Sequence, residues 1–320
     1  MKRILSIDGG GIRGIVPAVV LAEVEHRTQR PVSETFDLMA GTSTGGILAL
    51  GLSAPGDDKK SKYAARQLVE LYETKGSQIF HRDAWYRVWA LENILEAKYP
   101  TEGIEEVLKE YFSETPISQS LTELLVSSYD IERRKPFFFK RRKARESADF
   151  DWPMWQAARA TSAAPTYFEP VKLDSPSGGD YFALIDGGVY ANNPAMCAYA
   201  EARSIWPEET DFLVVSLGTG QLTRSIPYDQ AKDWGLAKWA QPILGVVFDG
   251  VSDTVDYQLE DLCRDQATRV SGYYRFEVTL SSGNDDLDDA SSTNVRALKL
   301  LAEDLVEQRK RDLDELCSHL

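Results

Sequence analysis

An α/β fold is predicted for this sequence: one domain in three layers, with a largely parallel sheet covered by helices on both faces. Two observations carry that expectation. Short apolar runs of strand length alternate along the chain with longer stretches of helical spacing, and parallel strands need crossovers that are usually helices. At residues 3–24 and again at 36–50, an apolar run passes through a glycine turn straight into a helical pattern. The 320 residues contain no Pro/Gly/Ser-rich linker and no repeat of fixed period, so one domain over 1–320 is expected. Its motifs lie within 3–220, and 221–320 completes the sheet and its helices.

The first unit is a short buried strand, Arg3–Ile7, ending at Asp8. Gly9-Gly10-Gly11-Ile12-Arg13-Gly14 follows, and then a helix through Ile15, Val19, Val20, Ala22 and Val24. Pro17 is tolerated there, because the first helical turn has no internal partners for its N–H groups. Consecutive glycines between strand and helix leave several backbone N–H groups free to converge on an anion. The spacing Gly9-x-Gly11-x-x-Gly14 also matches a dinucleotide fingerprint, which wants a second strand ending in an acidic residue about 20 positions on. Glu34 and Asp37 are nearest, and Asp37 falls inside the next strand. An oxyanion-binding loop is therefore the preferred reading. Arg13, the one cation of the loop, could hold its shape, add positive potential or pair with a surface carboxylate.

The second unit runs from Phe36 through Gly41-Thr42-Ser43-Thr44-Gly45 into Gly46-Ile47-Leu48-Ala49-Leu50. Gly-x-Ser-x-Gly between a strand and a helix is the context of a nucleophile elbow. The flanking glycines make room for a sharp turn, and the Ser oxygen sits at the positive end of the following helix.

Helical spacing recurs at Tyr63–Glu73, Glu102–Tyr111, Trp155–Thr161 and Val295–Gln308. Leu124–Ser127, Phe137–Phe139, Tyr181–Ile185, Phe212–Ser216 and Tyr274–Val278 read as further strands. Trp85, Tyr86, Trp89, Leu91 and Ile94 could form a lipid-facing lid or part of the core. The strand at 181–185 ends in Asp186-Gly187-Gly188, which on its own is a turn signature. The three histidines give it more weight. His26 and His81 precede Asp186, and His319 is the penultimate residue, whereas a Ser–acid–His hydrolase places its His after the acid. If Ser43 is a nucleophile, its base is not expected to be an imidazole.

Together, Asp8-Gly9-Gly10-Gly11-Ile12-Arg13-Gly14, Gly41-Thr42-Ser43-Thr44-Gly45 and Asp186-Gly187-Gly188 resemble the three signatures of patatin-like phospholipases, in the same order. Ala157–Phe168 is similar to the segment preceding that family's catalytic Asp, and the resemblance spans roughly residues 3–220. It implies the patatin-like fold, Ser43 as nucleophile and Asp186 as proton acceptor. It also implies an oxyanion hole from Gly9, Gly10 and Gly11, with Arg13, Gly14 and Thr44 as motif positions. The substrate implied is an ester of a phospholipid or lysophospholipid, with no metal and no organic cofactor. A free Asp, with a pKa of about 3.9, is a weak base at neutral pH, and burial would raise it. Two other readings stay open. One is an effector of bacterial antiviral defence switched on by a nucleotide second messenger. The other is a lipid- or nucleotide-binding module without turnover.

The net charge of −14 argues against a nucleic-acid polymer as partner. No apolar stretch reaches the roughly 18 residues of a membrane span. Cys197, Cys263 and Cys317 are widely spaced without metal-ligand pattern, as structural thiols of a reducing cytoplasm would be. A cytoplasmic protein is expected. The basic stretch Arg133–Arg145 around Phe137–Phe139 either touches an anionic inner-membrane surface or is a core strand with a solvated basic loop. Asn284–Asp289 fails the EF-hand pattern and reads as carboxylates at a helix start.

Overall fold

The computed structural model describes residues 1–80, 99–221, 225–239, 242–264, 270–280 and 286–320. In chain order they form β1 (Lys2–Ile7), α1 (Ile15–Thr28), β2 (Leu38–Thr42), α2 (Thr44–Ser53), α3 (Ala65–Ile79), α4 (Glu102–Phe112), β3 (Glu123–Asp130) and β4 (Lys135–Lys140). Then come α5 (Arg141–Glu146), α6 (Met154–Thr161), β5 (Val171–Asp174), β6 (Tyr181–Asp186), α7 (Ala195–Ile205), β7 (Phe212–Leu217), α8 (Pro242–Arg264), β8 (Val270–Phe276), α9 (Ser292–Gln308) and α10 (Lys310–His319). His81 and the aromatic stretch at 85–94 lie outside the described residues.

One sheet runs in the order β5-β6-β3-β2-β1-β7-β8, with β4 also paired to β3. Its centre, β3-β2-β1-β7-β8, is parallel, and the pairs of β4 and β6 with β3 and of β5 with β6 are antiparallel. The parallel strands read as continuous apolar runs because both of their faces are covered. Leu5, Ile7 and Met39 pack with α1, α2, α3 and α9 on one side, whereas Ile4, Leu38, Ala40 and Val214 pack with α7 and α8 on the other. That alternation is the three-layer arrangement expected from the sequence.

The three phenylalanines of β4 belong to this packing. Phe137 and Phe139 meet the buried Trp152 edge-on, and Phe138 turns the other way onto Tyr190. The cations around them are largely engaged: Lys140 and Arg142 pair with Glu201, Arg141 with Glu123, and Arg133 with Asp130 and Asp180. The carboxylates of 286–289 do not sit in the first turn of α9, whose cap is the Ser291 hydroxyl. Leu287 instead lies on the glycine loop, its carbonyl accepting the Ile12 N–H at 2.9 Å. Among the described residues, no helix is long and apolar enough to cross a membrane.

Candidate active site

β3 explains how residues 43 and 186 meet. Its Ser127 pairs with Thr42, the last residue of β2, and its next residue, Ser128, pairs with Asp186, the last of β6. β2 and β6 thus occupy successive stretches of the same edge of β3. Their ends deliver Ser43 and Asp186 to one place.

Ser43 follows β2 at φ 55°, ψ −124° and is the N-cap of α2. A non-glycine residue held in that region costs on the order of 1–3 kcal/mol and needs enforcing surroundings. They are present. The Ser43 N–H donates to Thr161 Oγ1 (2.8 Å), and that hydroxyl donates to the Ser127 carbonyl (2.6 Å). A Cβ at Gly41 would lie 2.1 Å from the Gly45 carbonyl oxygen, and one at Gly45 would lie 2.2 Å from that of Ile7. Both elbow glycines are therefore required by backbone contact. Thr44 begins α2 with its hydroxyl bonded to Tyr72, and Gly14 leaves the space for that pair, since its Cβ would stand 2.1 Å from Thr44 Oγ1.

Asp186 is buried. Its Oδ1 accepts the Gly188 N–H at 2.7 Å, while Oδ2 has no hydrogen-bond partner among the described residues. Burial raises its pKa to about 7, partly offset by the nearby Ser43 hydroxyl and by the Gly188 N–H. No hydrogen bond of ordinary length joins the Ser43 hydroxyl to Asp186, and catalytic hydrogen bonds often tighten only when substrate binds. The two glycines admit neighbours closely: a Cβ at Gly187 would meet the Ser127 carbonyl carbon at 2.7 Å, and one at Gly188 would meet the Phe248 ring at 2.9 Å.

The glycine loop completes the site with one correction. The Gly9 N–H, expected to face an anion, donates to the Asn192 carbonyl at 3.0 Å. Asn192 lies on the turn after β6 and takes that donor out of play. Among the described residues, the N–H groups of Gly10 and Gly11 donate to nothing, and both line the same slot as Ser43, Thr44 and Asp186. Arg13 holds the loop's shape through the carbonyls of Gly10 and Gly220, at 3.3 and 3.4 Å. Behind it, Thr219 Oγ1 donates to the Gly9 carbonyl (2.7 Å), Arg275 binds Asp8 (2.7 Å) and also pairs with Glu277, and Glu277 accepts the Gly220 N–H (2.6 Å).

The wall of the slot is mostly apolar, including Ile12, Ile47, Leu71, Ile79, Phe168 and Phe248. That suits an alkyl chain beside a polar reacting group. No histidine lines it among the described residues, and the side chains of His26 and His319 are exposed. Thr161, Ser127, Asn192, Thr219 and Arg275 are the supporting residues that sequence reasoning did not single out. Thr161 did lie within the segment read as preceding the Asp.

Comparison with known proteins gives the family. The family model "Patatin-like phospholipase" matches residues 5–199. The chain is similar to Patatin-like protein 4 of Arabidopsis thaliana, at 32% identity over 95% of this chain and 83% of that protein. Similarity to Probable inactive patatin-3-Kuras 1 of Solanum tuberosum is 30%, over 96% and 87%. Among solved structures, VipD from Legionella pneumophila matches at 12% identity and a TM-score of 0.37, over 96% of this chain and 67% of that one. With its glycine loop, its Ser elbow and the strand to Asp-Gly-Gly all inside or directly beside the matched region, this chain belongs to the patatin-like phospholipase family.

Proposed function

We propose that the protein is a lipid acyl hydrolase acting on phospholipid or lysophospholipid esters through a Ser43–Asp186 dyad. The observation that carries this is the shared slot: a strained Ser, a buried carboxyl and the two unengaged glycines of the loop line one apolar pocket. Ser43 Oγ attacks the ester carbonyl carbon as its proton passes to Asp186, and the carbonyl π electrons move onto oxygen. The N–H groups of Gly10 and Gly11, with that of Thr44 at the helix N-terminus, receive the oxyanion. Each such donor is worth about 2.7–4 kcal/mol. Collapse breaks the bond from the acyl carbon to the glycerol oxygen, and that oxygen takes the proton from Asp186 as the rest of the lipid leaves as an alcohol. Water then attacks the acyl-enzyme by the same route and releases the fatty acid. A carboxyl titrating near 7 is far better matched to this proton transfer than an ordinary Asp.

The test is fatty-acid release from a mixed phospholipid extract, read by mass spectrometry, for the parent, Ser43→Ala and Asp186→Asn. Each variant should lose at least about a hundredfold, and the double variant should be little worse than either, because a catalytic unit is non-additive. Turnover persisting in folded Ser43→Ala would reject the assignment. EDTA should leave the rate unchanged.

A further inference from the structure

Consecutive glycines give a backbone more freedom than any other residues, yet Gly10 and Gly11 must hold their N–H groups still to receive an oxyanion. Each peptide group is planar and trans, with C=O and N–H pointing opposite ways, so a bond at one end aims the other. The Gly9 carbonyl accepts the Thr219 hydroxyl at 2.7 Å, which fixes the plane carrying the Gly10 N–H. The Gly10 carbonyl accepts the Arg13 N–H at 3.1 Å, which fixes the plane carrying the Gly11 N–H. The third plane, between Gly11 and Ile12, is held through its own N–H by the Leu287 carbonyl at 2.9 Å.

This third restraint comes from a strap, residues 286–290, that leads into α9. Gly11 stands at φ +58°, and a Cβ on it would lie 2.1 Å from the Leu287 carbonyl oxygen. The strap therefore lies directly on the loop, and glycine is what lets it do so. The Ile12 side chain fits a notch in α3 at Gly76, where a Cβ would stand 2.7 Å from Ile12 Cδ1 and 3.5 Å from Ala290 Cβ. Ile12 is thus gripped by the strap at its backbone and by α3 at its side chain.

Two side chains hold the strap in turn. Tyr99 Oη donates to Asp288 Oδ2 at 2.6 Å, one residue from Leu287. Asn294, buried in the first turn of α9, donates from Nδ2 to the Asp289 carbonyl at 2.8 Å. Tyr99 is itself firmly placed: its ring lies 5.6 Å from that of Phe80 and 5.8 Å from that of Phe168, and its N–H donates to the Tyr167 carbonyl at 2.9 Å. Phe80, Tyr167 and Phe168 all line the slot, whereas Tyr99 and Asp288 do not. The Tyr99 hydroxyl therefore ties the wall of the slot to the strap that holds the glycine loop.

We infer that Tyr99 and Asp288 are positioning residues for the oxyanion hole. Their hydrogen bond holds the Leu287 carbonyl on the Ile12 N–H, and so keeps the Gly10 and Gly11 amides aimed at the developing charge. The inference rests on the hydrolase reading.

The test compares the full chain with Tyr99→Phe and Asp288→Ala, and with Asp288→Asn, whose amide oxygen still accepts the Tyr99 hydroxyl. One readout is hydrolysis of a soluble short-chain nitrophenyl ester. The other is inhibition by an alkyl trifluoromethyl ketone beside the corresponding alcohol. Ser43 Oγ adds to the ketone carbon as its proton passes to Asp186, and the carbonyl oxygen becomes an oxyanion in the hole; the alcohol occupies the slot without forming one. In Tyr99→Phe and Asp288→Ala, kcat should fall about tenfold or more, since a misplacement of about 1 Å can cost about a hundredfold, while KM changes little. The inhibition constant of the ketone should rise in proportion, and that of the alcohol should not. Their ratio is unaffected by partial loss of folded protein. Asp288→Asn should regain most of what Asp288→Ala loses, and the pH midpoint of the rate should stay near 7 in every variant, because Asp186 is untouched. Equal weakening of ketone and alcohol, or parent-like kcat and ketone affinity in Tyr99→Phe and Asp288→Ala, would overturn the inference and leave the hydrolase standing. A parent with neither ester turnover nor a covalent ketone adduct would reject the hydrolase reading instead.

Discussion

Ser43 and Asp186 are each held in a costly state by neighbours that do no chemistry. For Ser43 the neighbour is Thr161, whose hydroxyl accepts a hydrogen bond from the Ser43 N–H and donates one to the Ser127 carbonyl. Thr161→Val keeps the shape and leaves two buried backbone groups unpaired, at about 1–3 kcal/mol each. Its urea midpoint should fall and kcat should drop about tenfold or more, whereas Thr161→Ser should preserve both. For Asp186 the cost is burial of charge. Its folded pKa of about 7 lies above the unfolded value of about 3.9. Between those values the folded state binds the extra proton, so stability falls as pH rises through this window and levels off above it. Asp186→Asn removes the penalty along with the base. It should melt above the parent at pH 8, and the gap should close toward pH 4. Equal melting curves at pH 8 would show that the carboxyl is not strained by burial.

At the scale of elements, the turns were legible and several supports were not. Gly41, Gly45 and Gly187 are needed because backbone passes where a Cβ would be, and a constraint that strict leaves its mark in sequence. Gly187→Ala, forced against Ser127, should unfold the turn or abolish turnover. Gly250, inside α8 with nothing within 4 Å of an added Cβ, should instead gain about 0.4–1 kcal/mol on replacement by Ala, read from denaturant unfolding. α8 itself escaped notice because its buried apolar side chains are few, Phe248, Val255 and Leu259, with the polar Asp249, Ser252, Asp253 and Asp256 interspersed. β5 is a four-residue edge strand with one buried side chain, too short for a period. β8 begins earlier than the expected Tyr274–Val278, at Val270, and ends at Phe276, where Glu277 leaves the ladder to hold the Gly220 N–H. The loss of Gly9 as a donor depends on a carbonyl 183 positions away, a long-range event that no local spacing encodes. Pairing of Asp8 with Arg275 is of the same kind.

For the whole molecule, the apolar slot beside Ser43 and Asp186 adjoins a wider, more polar vestibule through Tyr167, Phe248 and Leu287. Surface charge belongs to the same scale. In the segment 133–145, Arg141 and Arg142 are paired internally, and Arg134, Lys135 and Arg145 form no ion pair among the described residues. If this segment touches anionic lipid, replacing those three by Gln should weaken sedimentation with anionic vesicles at low salt. The difference should vanish as salt rises, because exposed charges are screened over about 8 Å at physiological ionic strength. Equal binding at low salt would leave the segment a sheet edge with a solvated loop.

The central claim, that Asp186 activates Ser43, is tested most directly by the pH dependence of covalent labelling with a fluorophosphonate. The adduct should map by mass spectrometry to Ser43, and the labelling rate of the parent should rise through a single ionisation near pH 7, the value to which burial lifts Asp186. In Asp186→Asn that rise should be absent and labelling at pH 8 should be at least about a hundredfold slower. An adduct on another residue, or a parent-like rate and pH profile in folded Asp186→Asn, would contradict the dyad.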